Sequence, residues 1–177
     1  MTSQSAPHLE APVTRQTRGS LRLRLSASPG QATLDGAWWP RSRDIDVEVA
    51  DLVNHFPASI GRVYRVLFSR PDWDTRPHTV AVARGRIKTG SFPRDDTHMV
   101  MLRMSTVNDL RLLVVPPDHA AGEQAMTLAA DPSNRWSAGQ ILSAGAFDGE
   151  DSEQNDHWVD EGGSWWQRPE AGAPSFR

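Results

Sequence analysis

A carboxylate beside an imidazole can pass a proton, and the segment holding Ser91, Arg94, Asp95, Asp96 and His98 supplies that combination most compactly. The same residue types also build an ordinary polar turn, in which an aspartate bonds backbone amides. Asp72 and Asp74, on either side of Trp73, invite the same two readings: paired acids, or a capped turn over a buried indole. The six histidines form no HExxH or other ligand-like pair, and there is no cysteine, which excludes disulfides and thiolate metal sites. No glycine-rich stretch has the spacing of a phosphate loop or a dinucleotide fingerprint. Gly162-Gly163-Ser164-Trp165 lacks the second glycine of a nucleophile elbow, and Asp148-Gly149-Glu150-Asp151 lacks the ligand spacing of a calcium loop. The expectation is a chain with no catalytic residue, metal or cofactor assigned.

The densest chemistry lies elsewhere, in Leu34-Asp35-Gly36-Ala37-Trp38-Trp39-Pro40-Arg41-Ser42-Arg43-Asp44. In an extended strand Trp38 and Trp39 point to opposite faces, so one indole enters the core and the other lies at or near the surface. An indole in water beside Arg41 and Arg43 can stack on a nucleic-acid base while the guanidiniums meet phosphate. Arg84 and Arg86 share a strand face by parity, as do Arg22 and Arg24. Arg62, Arg65, Arg103 and Arg111 can extend the surface if the strands align. The competing reading is structural: arginines protect a sheet's solvent face, and the Trp-Pro-Arg stretch clamps a helix to the sheet.

Charge sharpens the first reading. The net charge of −3 is a poor summary of the chain. Arg15 to Val115 holds 16 basic and 10 acidic residues, whereas Phe147 to Arg177 holds 2 basic and 8 acidic. A basic body thus carries an acidic tail containing Trp158, Trp165 and Trp166. The expectation is that this tail docks on the basic sheet face, or on a partner, and in the first case competes with an anionic ligand.

The eleven-residue stretch, followed later by Leu112-Leu113-Val114-Val115-Pro116-Pro117-Asp118, resembles an actinobacterial family catalogued as domain of unknown function 5994. The resemblance spans roughly the middle two-thirds of the chain and implies no activity.

The elements that position these residues follow from periodicity. Leu21-Arg22-Leu23-Arg24-Leu25 alternates as a half-buried strand. Thr33 to Trp39 reads as a second strand, with Asp35-Gly36 a bulge or a bend. From Asp44 to Phe56, Ile45, Val49, Leu52, Val53 and Phe56 form one helical stripe, capped by Asp44 and stopped by Pro57. Strands are expected at Ile60–Phe68, at Thr79–Lys88 with a bulge at Gly85, at Met99–Met104 and at Leu110–Val115, the last two as a hairpin. Asp118 is expected to cap a helix reaching Ala130, and Ser137–Ala144 to add one or two helical turns.

These elements imply an α+β domain over 20–145: a single antiparallel, strongly curved sheet, able to curl into a partly closed small barrel, with two main helices. Residues 1–19 and 146–177 read as disordered ends, too polar to offset their ordering entropy by burial. With no apolar run of signal or membrane-span length, the expected location is the cytoplasm, with no membrane partner. The expected function is a non-enzymatic binding or regulatory module whose Trp/Arg surface takes nucleic acid or an acidic protein segment. The alternatives are an enzyme or small-molecule-binding domain with its pocket between the first helix and the sheet, or an accessory protein whose tail recruits a partner.

Overall fold

The computed structural model describes residues 19–92, 97–105 and 108–147. The expected arm, the acidic tail with Trp158, Trp165 and Trp166, and Arg94, Asp95 and Asp96 lie outside them.

Strands β1 (Leu23–Leu25) and β2 (Gly36–Trp38) form an antiparallel pair. Gly36 has φ +146°, and a Cβ there would stand 2.2 Å from the Arg24 carbonyl oxygen, so the two backbones approach more closely than any side chain permits. That close approach, rather than a bulge, is what the glycine provides. Helix α1 (Ile45–His55) starts where Asp44 Oδ1 accepts the amides of Asp46 and Val47, at 3.1 and 3.3 Å.

Strand β3 (Val63–Phe68) follows, then a single 3-10 turn over Arg70–Asp72. The stretch expected as one strand from Thr79 to Lys88 is instead a hairpin: β4 (Thr79–Val82) and β5 (Gly85–Ser91) meet at the turn Ala83-Arg84. Gly85 (φ +112°) supplies the left-handed residue that closes this turn, a role the strand periodicity concealed. Strands β6 (Met99–Met104) and β7 (Leu110–Val114) form the expected hairpin. Helix α2 (Gly122–Ala130) is preceded by Ala121 rather than capped by Asp118, and α3 (Ala138–Phe147) is a full helix of 10 residues. None of these helices is long and apolar enough to cross a membrane.

The seven strands lie in the order β1-β2-β7-β6-β3-β5-β4. The α+β class holds, but the sheet is mixed rather than wholly antiparallel: β2 runs parallel to β7, and β3 parallel to β5. It is also open, with β1 and β4 at its two ends rather than closed on each other. The cause is connectivity. Consecutive strands make antiparallel hairpins, while the joins between hairpins are long-range and carry no turn signal in the sequence.

One face is covered by α1, whose Ile45, Val49 and Leu52 pack with Val66, Phe68, Val100, Leu102 and Leu112. On the other, Ala125, Met126 and Ala129 of α2 and Ile141 of α3 pack on Ala37, Leu113 and Val115. That second layer sits over β1, β2 and β7. Further along the same face, Arg103 of β6, Arg65 of β3, and Lys88 and Arg86 of β5 are exposed.

The β2–β7 join depends on Asp35, which is 1 % exposed. Its Oδ1 accepts the Gly30 amide and its Oδ2 the Arg111 amide at 2.8 Å, while its own amide donates to the Arg111 carbonyl at 2.7 Å. The Asp35→Asn change turns one of these acceptors into a donor facing a donor, and is expected to cost about 1–3 kcal/mol in urea unfolding. Gly36→Ala is expected to be the more damaging of the two, because the obstacle it meets is backbone. Unchanged unfolding midpoints would show that this join is not what holds β2 in the sheet.

Candidate anion-binding surface

The Trp38-Trp39 pair divides as alternation requires. Trp38 is 1 % exposed and stacks on Trp73, with ring centroids 5.4 Å apart, in the α1-side core. It is closed to a ligand. Trp39 is half-buried on the other side. Its Nε1 donates to the Pro116 carbonyl at 3.0 Å, and the Arg22 guanidinium lies 4.0 Å over its ring. Arg22 also donates to the carbonyls of Trp39 and Pro40, and burial together with nearby Arg41 lowers its pKa from the usual arginine value. Gly122 completes the enclosure, since a Cβ there would stand 2.4 Å from the indole.

The flanking guanidiniums are engaged too. Arg41 donates to the Ser20 carbonyl at 2.9 Å. Arg43 pairs with Asp74 at 3.3 Å and donates to the Pro71 carbonyl. Glu48, 2 % exposed on α1, accepts the Arg41 amide through Oε2 and the Ser42 hydroxyl through Oε1. The whole stretch from Leu34 to Asp44 is thus bound into the fold, much of it to Leu112–Asp118: β2 lies beside β7, and Trp39 is bonded to Pro116.

Asp72 and His98, taken from two different candidate clusters, meet. His98 Nδ1 lies 2.7 Å from Asp72 Oδ1, and the His98 amide donates to Oδ2 at 3.1 Å. The pair ties the 3-10 turn to the start of β6. It holds His98 at φ +59°.

Four exposed basic residues, Arg65, Arg86, Lys88 and Arg103, stand on the uncovered half of the sheet. Register places Lys88 of β5 opposite Arg65 of β3, and Arg65 opposite Arg103 of β6. Three cations thus stand side by side across adjacent strands, about 5 Å apart at Cβ, an arrangement that lowers stability through like-charge repulsion. Arg103 is paired with Asp109, whereas Arg65 and Lys88 have no carboxylate partner among the described residues. Beside this row lie Gly90, Leu67 and Met101, a low apolar strip, since the glycine adds nothing and the other two are half-buried. Arg86, bonded to Thr79 Oγ1, extends the row along β5.

Tyr64 is the extra residue of a bulge in β3, between Val63 (opposite Met104) and Arg65 (opposite Arg103). The bulge leaves it 54 % exposed. Arg84, expected on one strand face with Arg86, lies in the β4–β5 turn. The two nevertheless line one cleft, which Tyr64 and Arg62 also line. Lys88 and Tyr64 were not among the candidates from the sequence. The signal for Lys88 was its parity with Arg86; for Tyr64 there was none, because a bulge breaks parity.

Residues 22–131 match a family of unknown function, DUF5994. The chain belongs to that family. Searches among curated proteins and among solved structures return no match. The matched span holds β1 to α2, and therefore both the enclosed tryptophan segment and the cationic row.

The His98 strut has a pH signature. Its hydrogen bond to Asp72 raises the imidazole pKa, against burial, which lowers it. A raised folded-state pKa stabilises the fold fully below the unfolded value of about 6.5, and the contribution is lost as pH rises through the higher folded value. The gap in urea midpoint between wild type and Asp72→Asn is therefore expected to narrow as pH rises above about 6.5. A gap independent of pH would rule the ion pair out.

Proposed function

We propose that the chain is a non-enzymatic binding module and that its uncovered half-sheet holds a single-stranded nucleic acid. The observation supporting this is the row Lys88–Arg65–Arg103, with Arg86 beside it. Repulsion within such a row costs stability, and an anion lying across it offsets that cost. Cations on adjacent strands beside a partly apolar strip suit a phosphate backbone whose bases rest on the strip and on Tyr64. Arg41 and Arg43, expected as ligand contacts, already have protein partners; Arg86 keeps the role proposed for it.

The test is fluorescence anisotropy with a labelled oligouridine of about 15 nucleotides, within the usual range of single-strand site sizes. The double variant Arg65→Gln/Lys88→Gln is expected to bind at least about fivefold more weakly. Its salt dependence should flatten by about 1.4 in log–log slope, for two lost contacts at ~0.7 each. Arg41→Gln/Arg43→Gln is expected to leave affinity unchanged. Equal binding by the Arg65/Lys88 variant and wild type would overturn the proposal. So would a polyglutamate peptide of matched charge competing as well as unlabelled oligouridine, which would make the partner an acidic protein segment.

A further inference from the structure

We propose a second site at the end of the sheet, meeting the sheet-face strip at Arg86 and Tyr64, where a cleft of about 620 Å³ takes a small amphipathic acid, a carboxylate carried on an aliphatic or aromatic body. The cleft lies between the last turn of α1, the β4–β5 turn and the start of β3. Its volume is in the ordinary range for small-molecule sites. The floor is aliphatic and aromatic: Val53 from α1, Phe56 just past its end, and Val63, Val82 and Ile87 from the strands. The rim is cationic, with Arg62, Arg84 and Arg86 and the phenol of Tyr64.

Three features argue for a ligand rather than an accidental gap. First, no aspartate or glutamate stands among the described lining residues, and Arg62 and Arg84 have no carboxylate partner among the described residues. The α1 carboxyl end brings about half a negative charge, which the guanidiniums exceed.

Second, the walls are fixed. Asn54 Oδ1 on α1 accepts the Ala83 amide at 2.8 Å, which holds the turn carrying Arg84 against the helix. On the other wall the Ser105 amide donates to the Arg62 carbonyl at 3.0 Å.

Third, the chemistry is divided in space. The floor offers no hydrogen-bonding side chain, so a nucleobase seated there would leave its polar edge unpaired. An apolar body fits the floor, and an arginine fork matches a carboxylate at the rim. This inference does not rest on the sheet-face reading, since Arg62 and Arg84 are not part of the Lys88–Arg65–Arg103 row.

Isothermal titration calorimetry of the full chain at fixed ionic strength, with octanoate, 1-octanol and inorganic phosphate, tests it. Octanoate is expected to bind at least about tenfold more tightly than either of the others, because only it uses both floor and rim. The exposed-site variant Arg62→Gln/Arg84→Gln is expected to lose that preference, to keep the wild-type unfolding midpoint, and to bind oligouridine as wild type does. Octanol or phosphate binding as well as octanoate would overturn the proposal, as would no octanoate binding at all. A variant that lost oligouridine along with octanoate would also overturn it, by making the cleft part of the sheet-face site.

Discussion

The parallel pairing of β2 with β7, fixed by the buried Asp35 carboxylate, is the constraint from which the rest of the architecture follows. It brings Ala37 and Leu113 to one face, where α2 and α3 pack, and so places both helices over one end of the sheet. Trp39, held by Pro116, Arg22 and Gly122, fastens α2 there. The helical layer is too narrow to reach β3 and β5. The half-sheet beyond it is left to side chains that tolerate water, and those side chains are cations.

Burial and charge therefore divide the tryptophan- and arginine-rich chemistry of the chain. Near β2, where backbone and helix converge, aromatic surface is enclosed and guanidiniums are spent on carbonyls and on Asp74. On β3, β5 and β6, where nothing described lies above the sheet, cations face each other with one carboxylate between them. The residues that look most distinctive in the sequence hold the fold together, and the plainer ones on the far strands are those proposed to meet a partner.

Much of the fold is legible in the sequence because its signals are local. The stripe of Ile45, Val49 and Leu52 gives α1, Asp44 its start, and alternation in Leu21–Leu25 gives β1. The opposite placement of Trp38 and Trp39 follows from parity alone. What is not legible depends on register between distant segments. Nothing near Arg65 says that Lys88 and Arg103 flank it. The parallel joins are likewise invisible because no turn residue marks them. The turn closed by Gly85 is hidden for a different reason: Val80, Val82 and Ile87 keep the apolar content of one strand, and only tertiary pairing shows that the chain reverses between them.

The most direct test of this division is amide chemical-shift mapping of the full chain by NMR as oligouridine is added. The account predicts that the largest shifts fall on Arg65 to Leu67, Arg86 to Gly90 and Met101 to Arg103, with Trp39 to Arg43 unmoved. Shifts concentrated on Trp39 to Arg43, with the strand residues silent, would contradict it.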